Sequence, residues 1–367
     1  MFEHGKINYR QLVQLIFISR IIIAITYLPV LSSPPGNQDI WISILLSFPI
    51  QLLLSIPIYL LWRRFPNQTI IQYSQSIIGR SGKIIGILYI WFFIHFAVIT
   101  LSYFNLFLTT AIMPETPLLF FSILLVGFCA YAVGAGLEVL GRMAEIVAPI
   151  IILAIITIIV LTAKDMDLKN LTPVFESGLW PVLGGGLTAS ARTFEITALA
   201  MVLPILNDNK KAKRVFIMGF LIITIFFETI GLSALTILGS ELAKNHAFPF
   251  YAVVRTIKIA DFIERIEAIH MGIWVLGAFT KISFWFYLAV LGMGQLFNLK
   301  DYTPLILPTG TIIVPLSILM ASSLVELIEF TDYRVFTWYA LIFILFIPSI
   351  LLFIAIVKKK GGNKNES

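Results

Sequence analysis

The sequence predicts an all-α polytopic membrane protein of ten transmembrane helices, built as two inverted repeats of five with the first and sixth helices discontinuous. Three observations carry this. Of 367 residues, 59% are hydrophobic and 13% charged, with a mean hydropathy of +0.94. That is more apolar side chain than a soluble domain uses. Apolar runs near the length needed to cross a bilayer, about 20 residues, recur from end to end. One of them, 179–206, carries charges and glycines at mid-depth and has a counterpart in the first.

In order, the apolar segments are 9–31, 40–62, 83–112, 118–136, 142–163, 180–206, 215–239, 267–297, 303–321 and 334–357. An even number of crossings puts both chain ends on one face. Taking that face as cytoplasmic places 16 of the 26 basic residues in inside loops and tail, against seven outside. The positive-inside rule then gives N-in, C-in. The formal charge of +6 is therefore a matter of topology, and nothing calls for nucleic acid as a partner; the lipid bilayer is the expected surrounding. Met1–Arg10 is polar, and no cleavable signal is expected. The whole chain reads as one membrane domain, 1–367, with repeats at about 9–163 and 180–357. Residues 358–367 form a basic cytoplasmic tail that anchors topology and is expected to carry no structure of its own.

The chain is organised around Leu179–Leu206, LWPVLGGGLTASARTFEITALAMVLPIL. Gly184, Gly185 and Gly186 forgo helix propensity. Arg192 and Glu195 are costly at that depth unless they face protein, water or each other. They read either as a structural ion pair on a tightly packed helix or as part of a broken helix lining a midplane site. Segment one ends in Tyr27-Leu28-Pro29 and segment six in Val202-Leu203-Pro204; nine residues before each proline stand Arg20 and Glu195. Segments two and seven keep a similar offset. Five crossings per repeat, an odd number, invert the second repeat relative to the first, which brings their broken first helices together at the midplane.

Five ionisable residues fall well inside segments: Arg20, Arg192, Glu195, Glu228 and Lys281. Buried charges are normally paired, so three cations against two acids leave one to welcome an anion such as an amino-acid carboxylate. Glu195 then holds a ligand ammonium or a cation, or pairs with Arg20. Glu228 reads as a structural partner of Arg192 or Lys281. Lys281, within Thr280-Lys281-Ile282-Ser283, lies too deep to snorkel and can put an ammonium where a coupling sodium ion would otherwise bind. The expected binding set is Arg20, Ala24, Thr26, Ser102, Asn105, Arg192, Thr193, Phe194, Glu195 and Lys281; Ser102 and Asn105 share a helix face. His95 and His270 read as structural. The connection 240–267 is expected to cover the outer mouth, with Phe248 and Phe250 as gating residues and a helix through ADFIERIEAI, 260–269.

Enzyme signatures are missing: there is no H-E-x-x-H, G-x-S-x-G or Walker loop. The lone Cys129 excludes an intrachain disulfide and a thiolate cage. No catalytic residue, metal or cofactor is expected.

The motif residues resemble a known family. Asn170-Leu171-Thr172-Pro173, Gly178, Phe194-Glu195 and Leu203-Pro204 are similar to the B-subunit permeases of bacterial endospore germinant receptors. So are Phe248-Pro249, Ala260–Ile269, Trp274, and Tyr27-Leu28-Pro29 with Pro34-Pro35 and Asp39-Ile40-Trp41. The resemblance covers nearly the whole chain. It implies a LeuT-type fold within the amino acid–polyamine–organocation transporters, A and C subunits as partners, and nutrient sensing in the spore inner membrane. A stand-alone proton- or sodium-coupled amino-acid transporter is the alternative. The chain departs from the family at two hinges: Arg192-Thr193-Phe194-Glu195 stands where many relatives have Pro-Phe-Gly-Glu, and Ile22-Ile23-Ala24 replaces a glycine pair.

Overall fold

The computed structural model describes residues 5–257, 266–320 and 323–362. Each expected apolar segment is helical there, and no strand is found among the described residues. Segment one is α1, Tyr9–Ala24, whose start is fixed by a capping box between Asn8 and Gln11. Segments two to five are α2 (Ile40–Arg64), α4 (Gly82–Phe107), α5 (Leu118–Gly134) and α6 (Leu137–Thr162). A short amphipathic helix, α3 (Ile70–Ile78), lies between α2 and α4. Segment six is two helices, α7 (Leu179–Ala191) and α8 (Glu195–Val202). Segment seven is α9 (Ala212–Leu238), followed by the short α10 (Ser240–Asn245) and α11 (Pro249–Thr256). Segment eight is α12 (Ile266–Leu296) and segment nine α13 (Ile306–Met320); a turn of helix, α14 (Leu324–Phe330), precedes segment ten, α15 (Tyr333–Leu341) with α16 (Ile347–Val357).

Seven of the resulting helices are long and apolar enough to cross a bilayer whole, and Leu118–Gly134 is a shorter apolar one. The two remaining crossings, segments one and six, fall short because each is broken. The outer surface is apolar, with Leu53, Phe128, Ile146 and Leu153 all more than 60% exposed, as side chains facing acyl chains are. The interior is organised on α12, where Ile282 through Val290 are all fully buried against α1, α4, α5 and α6.

The glycines of segment six do not make its break. Gly184–Gly186 lie within the continuous α7 and let it pack on α2. A Cβ on Gly185 would stand 2.0 Å from the Pro34 carbonyl oxygen and 2.5 Å from Ser43 Oγ. The chain leaves the helix further on, at Arg192-Thr193-Phe194, where Thr193 N–H bonds the Ser190 carbonyl and Thr197 Oγ caps the Phe194 carbonyl. Segment one breaks at Ile25–Leu28. Leu28 takes φ +39°, a left-handed backbone costly for a branched side chain. Both hinges therefore form without a hinge glycine.

Loops fasten the two halves at the face opposite the chain ends. Asp39 accepts backbone N–H bonds from Phe175 (2.8 Å) and Glu176 (3.0 Å), and Asn170 Nδ2 donates to the Thr236 carbonyl at 2.9 Å. The motif residues around 39 and 170–173 are thus structural clamps. Of the expected amphipathic helix at 260–269, residues 260–265 lie outside the described residues. On its flanks, Glu267 of α12 accepts from Tyr251 Oη (3.0 Å) and pairs with Arg255 (3.2 Å), both on α11. The burial of Tyr251 and its bond to Glu267 raise its phenol pKa. The tail, expected to be unstructured, is docked over its described part: Arg64 Nε donates to the Lys360 carbonyl (2.5 Å) and Lys360 Nζ to the Ser76 carbonyl (2.9 Å).

Candidate functional site

Four side chains meet where the broken segments pass each other beside α12. Glu195 is the first residue of α8, where the positive end of the helix favours a carboxylate. Its Oε1 accepts Ser19 Oγ at 2.7 Å and lies 3.7 Å from Lys281 Nζ. Lys281 Nζ also donates to the Ser19 backbone carbonyl at 2.5 Å, and Trp285 Nε1 donates to Ser19 Oγ at 3.1 Å. Lys281 and Glu195 are 1% and 0% exposed. The ammonium therefore ties segments one, six and eight together, and it stands 4.7 Å from the centre of the Phe194 ring. The carboxylate of Glu195 is met by Lys281 and Ser19 rather than by Arg20, whose spacing from Pro29 had suggested that pairing.

Above this knot lies a cavity of about 30 Å³, lined by Arg20, Thr100, Tyr103, Arg192, Phe194 and Lys281 among others. Its inner side is aromatic: the Phe96 and Phe194 rings are 3.7 Å apart, and Trp285 and Phe336 pack against both. Arg20 presses its guanidinium on the Phe227 ring at 4.2 Å. On the other side is a vestibule of about 460 Å³. It is walled by the segment-one break around Pro29 and Leu31, by residues 243–247 with Pro249 and by the approach to segment ten, and it shares Pro29, Tyr103, Arg192 and Thr331 with the cavity. Three of those shared residues, Tyr103, Arg192 and Thr331, are bonded into a partition. Arg192 Nη2 donates to the Thr331 carbonyl (2.8 Å), Tyr103 Oη and Thr331 Oγ are 2.9 Å apart, and Tyr27 Oη donates to the Tyr103 carbonyl (2.5 Å).

The expected residues divide on this geometry. Arg20, Arg192, Phe194 and Lys281 line the cavity, and Glu195 sits directly behind Lys281. Ala24 is the last residue of α1, and Thr26 lies in the break that follows it. Thr26 Oγ stands 3.4 Å from His270 Nε2, which also approaches the Ile25 carbonyl at 2.7 Å. His270 thereby caps a carbonyl that the broken helix frees, a structural part as expected. Thr193 is fully buried in the segment-six break, with its hydroxyl unpartnered among the described residues. Ser102 and Asn105 face away from the cavity: Ser102 Oγ donates to the Ser317 carbonyl on α13 and Asn105 Nδ2 to Ser122 Oγ on α5. The cavity instead takes the neighbouring stripe of α4, Phe96, Ile99, Thr100 and Tyr103, whose i, i+3, i+4, i+7 spacing was there to be read. Phe248 and Phe250 are buried; Phe248 packs edge-on to Tyr27 (5.2 Å) and Phe107 (5.1 Å). His95 binds Tyr339 Oη at 2.7 Å. Glu228 is buried with both oxygens unpartnered among the described residues, so the structural pairing expected for it is not made there. Ser19 and Thr331, both in the knot or the partition, carry no sequence signal beyond their positions next to Arg20 and at the start of the last crossing. Among the described residues no group of His, Cys, Asp and Glu is placed to hold a metal.

Two crossings that are each broken and pack together, with charged side chains converging near the breaks, have the LeuT-type permease architecture. A solved structure described as the substrate-bound outward-open state of a Na⁺-coupled sialic acid symporter superposes with a TM-score of 0.55 at 13% identity, over 95% of this chain and 78% of that one; this likeness speaks for the fold. The chain belongs to the spore germination protein family of permeases, whose model matches residues 6–325. Spore germination protein KB of Bacillus subtilis (strain 168) is 29% identical over 99% of this chain and 98% of its own length. Spore germination protein YndE of the same organism is 25% identical over 72% of this chain and 73% of its own.

Proposed function

We propose that this chain is the membrane subunit of a spore germinant receptor that binds a small nutrient in the midplane cavity and reports occupancy to A and C partner subunits. The spore inner membrane is its expected site, with both chain ends cytoplasmic. The observation that carries the reading is the thin partition between vestibule and cavity. A nutrient entering from the vestibule has to part Arg192 and Tyr103 from Thr331, so filling the cavity is coupled to movement of segments three, six and ten. A ligand shifts such an equilibrium only by its differential affinity for the two states, and the partition supplies contacts that differ between them. Membership of the spore germination family supports germination as the process served.

The transporter fold keeps a second reading in view, a stand-alone proton- or sodium-coupled amino-acid transporter. Here Lys281 provides a fixed positive charge between segments one and eight, which takes the part of a coupling cation and makes sodium dispensable. Uptake of labelled nutrient into proteoliposomes separates the two: saturable binding without uphill accumulation is expected, and sodium- or proton-driven accumulation would replace the sensor by the transporter.

A further inference from the structure

We infer that the cavity is built for an anion: a small molecule of net negative charge whose carboxylate lies against the Arg20 guanidinium. This rests on the nutrient-binding reading above and narrows the class of nutrient.

Three cations line the cavity and no carboxylate does. Two of the three are already answered. Lys281 has Glu195 and the Ser19 carbonyl. Arg192 donates to the Thr331 carbonyl and shares the vestibule wall with Asp332. Arg20 is not answered. It is 4% exposed, its Nε has no hydrogen-bond partner, and its guanidinium lies over the Phe227 ring and makes no ion pair among the described residues, with Glu195 acting on it only at longer range. Glu228, next to Phe227 in α9, points about 100° round the helix from it and is not on the cavity wall.

A guanidinium over an aromatic ring whose Nε is unpartnered and which makes no ion pair still has N–H donors to offer a planar, bidentate acceptor, which is the geometry of a carboxylate. An unpaired buried cation is unfavourable, and an anionic ligand removes that penalty while a neutral sugar leaves it in place. A zwitterionic amino acid would satisfy Arg20 but bring an ammonium against a wall of three cations; Glu195, whose Oε1 is engaged by Ser19 and Lys281 and whose Oε2 has no hydrogen-bond partner among the described residues, lies behind Lys281 and not on the cavity wall. The acid without an amino group is the better match. At about 30 Å³ the closed cavity holds little more than a water molecule, so the anion enters from the vestibule as the partition yields.

The test uses the full chain in lipid nanodiscs, with labelled lactate, pyruvate and succinate as probes beside alanine and glucose, at ionic strength held constant with sodium chloride. Saturable binding and thermal stabilisation by at least one of the three acids are expected, with neither from alanine or glucose. Arg20→Gln should weaken acid binding at least about tenfold, the loss of one charge-assisted contact, and Arg20→Lys by less. Without ligand, Arg20→Gln should unfold at no lower temperature than the wild type, because it removes an unpaired charge. Binding of alanine or glucose in place of the acids would overturn the anion proposal and leave the nutrient-binding reading intact. Equal acid binding by wild type and Arg20→Gln would also overturn it, as would an Arg20→Gln protein that unfolds without ligand while Arg20→Lys stays folded and binds no acid. Failure of every probe to bind the folded wild type would overturn both readings.

Discussion

Lys281→Met should be among the most damaging single changes in the membrane interior, and a second change should rescue it. Lys281 Nζ and Glu195 Oε1 are 3.7 Å apart with neither side chain exposed. At an effective dielectric of 20 two unit charges at that distance attract by about 4 kcal/mol. Methionine fills much of the lysine volume, so the loss is chiefly electrostatic: the buried Glu195 side chain loses its ion pair and keeps Ser19 Oγ as its hydrogen-bond partner. Removing one partner of a buried pair costs about 3–5 kcal/mol. Glu195→Gln in the same molecule removes the orphaned charge and keeps an acceptor for Ser19, so the double variant should recover most of the loss. Unfolding titrations of the purified protein in mixed micelles give the four corners of the double-mutant cycle. A Lys281→Met loss below about 1 kcal/mol, or a double variant that loses the sum of the two single losses, would refute the pairing. Sodium should leave nutrient affinity unchanged in the wild type at constant ionic strength; a clear sodium dependence would show that Lys281 does not take the part of a cation.

Gly185→Ala forces a Cβ to within 2.0 Å of the Pro34 carbonyl oxygen. A backbone atom cannot turn aside, so a loss at or beyond the roughly 1–3 kcal/mol of ordinary overpacking is expected, whereas Gly184→Ala, with nothing within 4 Å, should be neutral or mildly stabilising; thermal unfolding of the pair decides. Asp39→Ala removes two backbone N–H bonds to a buried carboxylate, each worth about 1.5–3 kcal/mol, and should expose 173–178 to proteolysis in intact vesicles while leaving Arg64 and the docked tail protected. Replacing Phe248 and Phe250 together by alanine strips the packing on Tyr27 and Phe107. It should raise the nutrient concentration for half-maximal germination more than Glu228→Gln does, at equal subunit level by blotting; an unchanged response would make the loop a mere cover.

Much of the architecture was legible before any coordinates, because burying a helix in lipid writes itself into composition. Apolar runs, basic loops and the charges at 192 and 195 lie in the sequence itself, and they were enough for ten crossings and a broken sixth. The repeated proline spacing pointed to segment one for the same reason. Which charge meets which was decided only in three dimensions. Arg20 and Lys281 are equivalent cations on paper, yet the register of α12 against α1 puts Lys281, and not Arg20, on Glu195. The glycines of segment six looked like a hinge and are a packing surface, since what a glycine permits depends on whether another backbone approaches it. On α4 two polar stripes compete, and burial against α5 and α13 claims Ser102 and Asn105 while Thr100 and Tyr103 reach the cavity. Periodicity identifies the faces of a helix, but only packing against its neighbours determines which face looks inward.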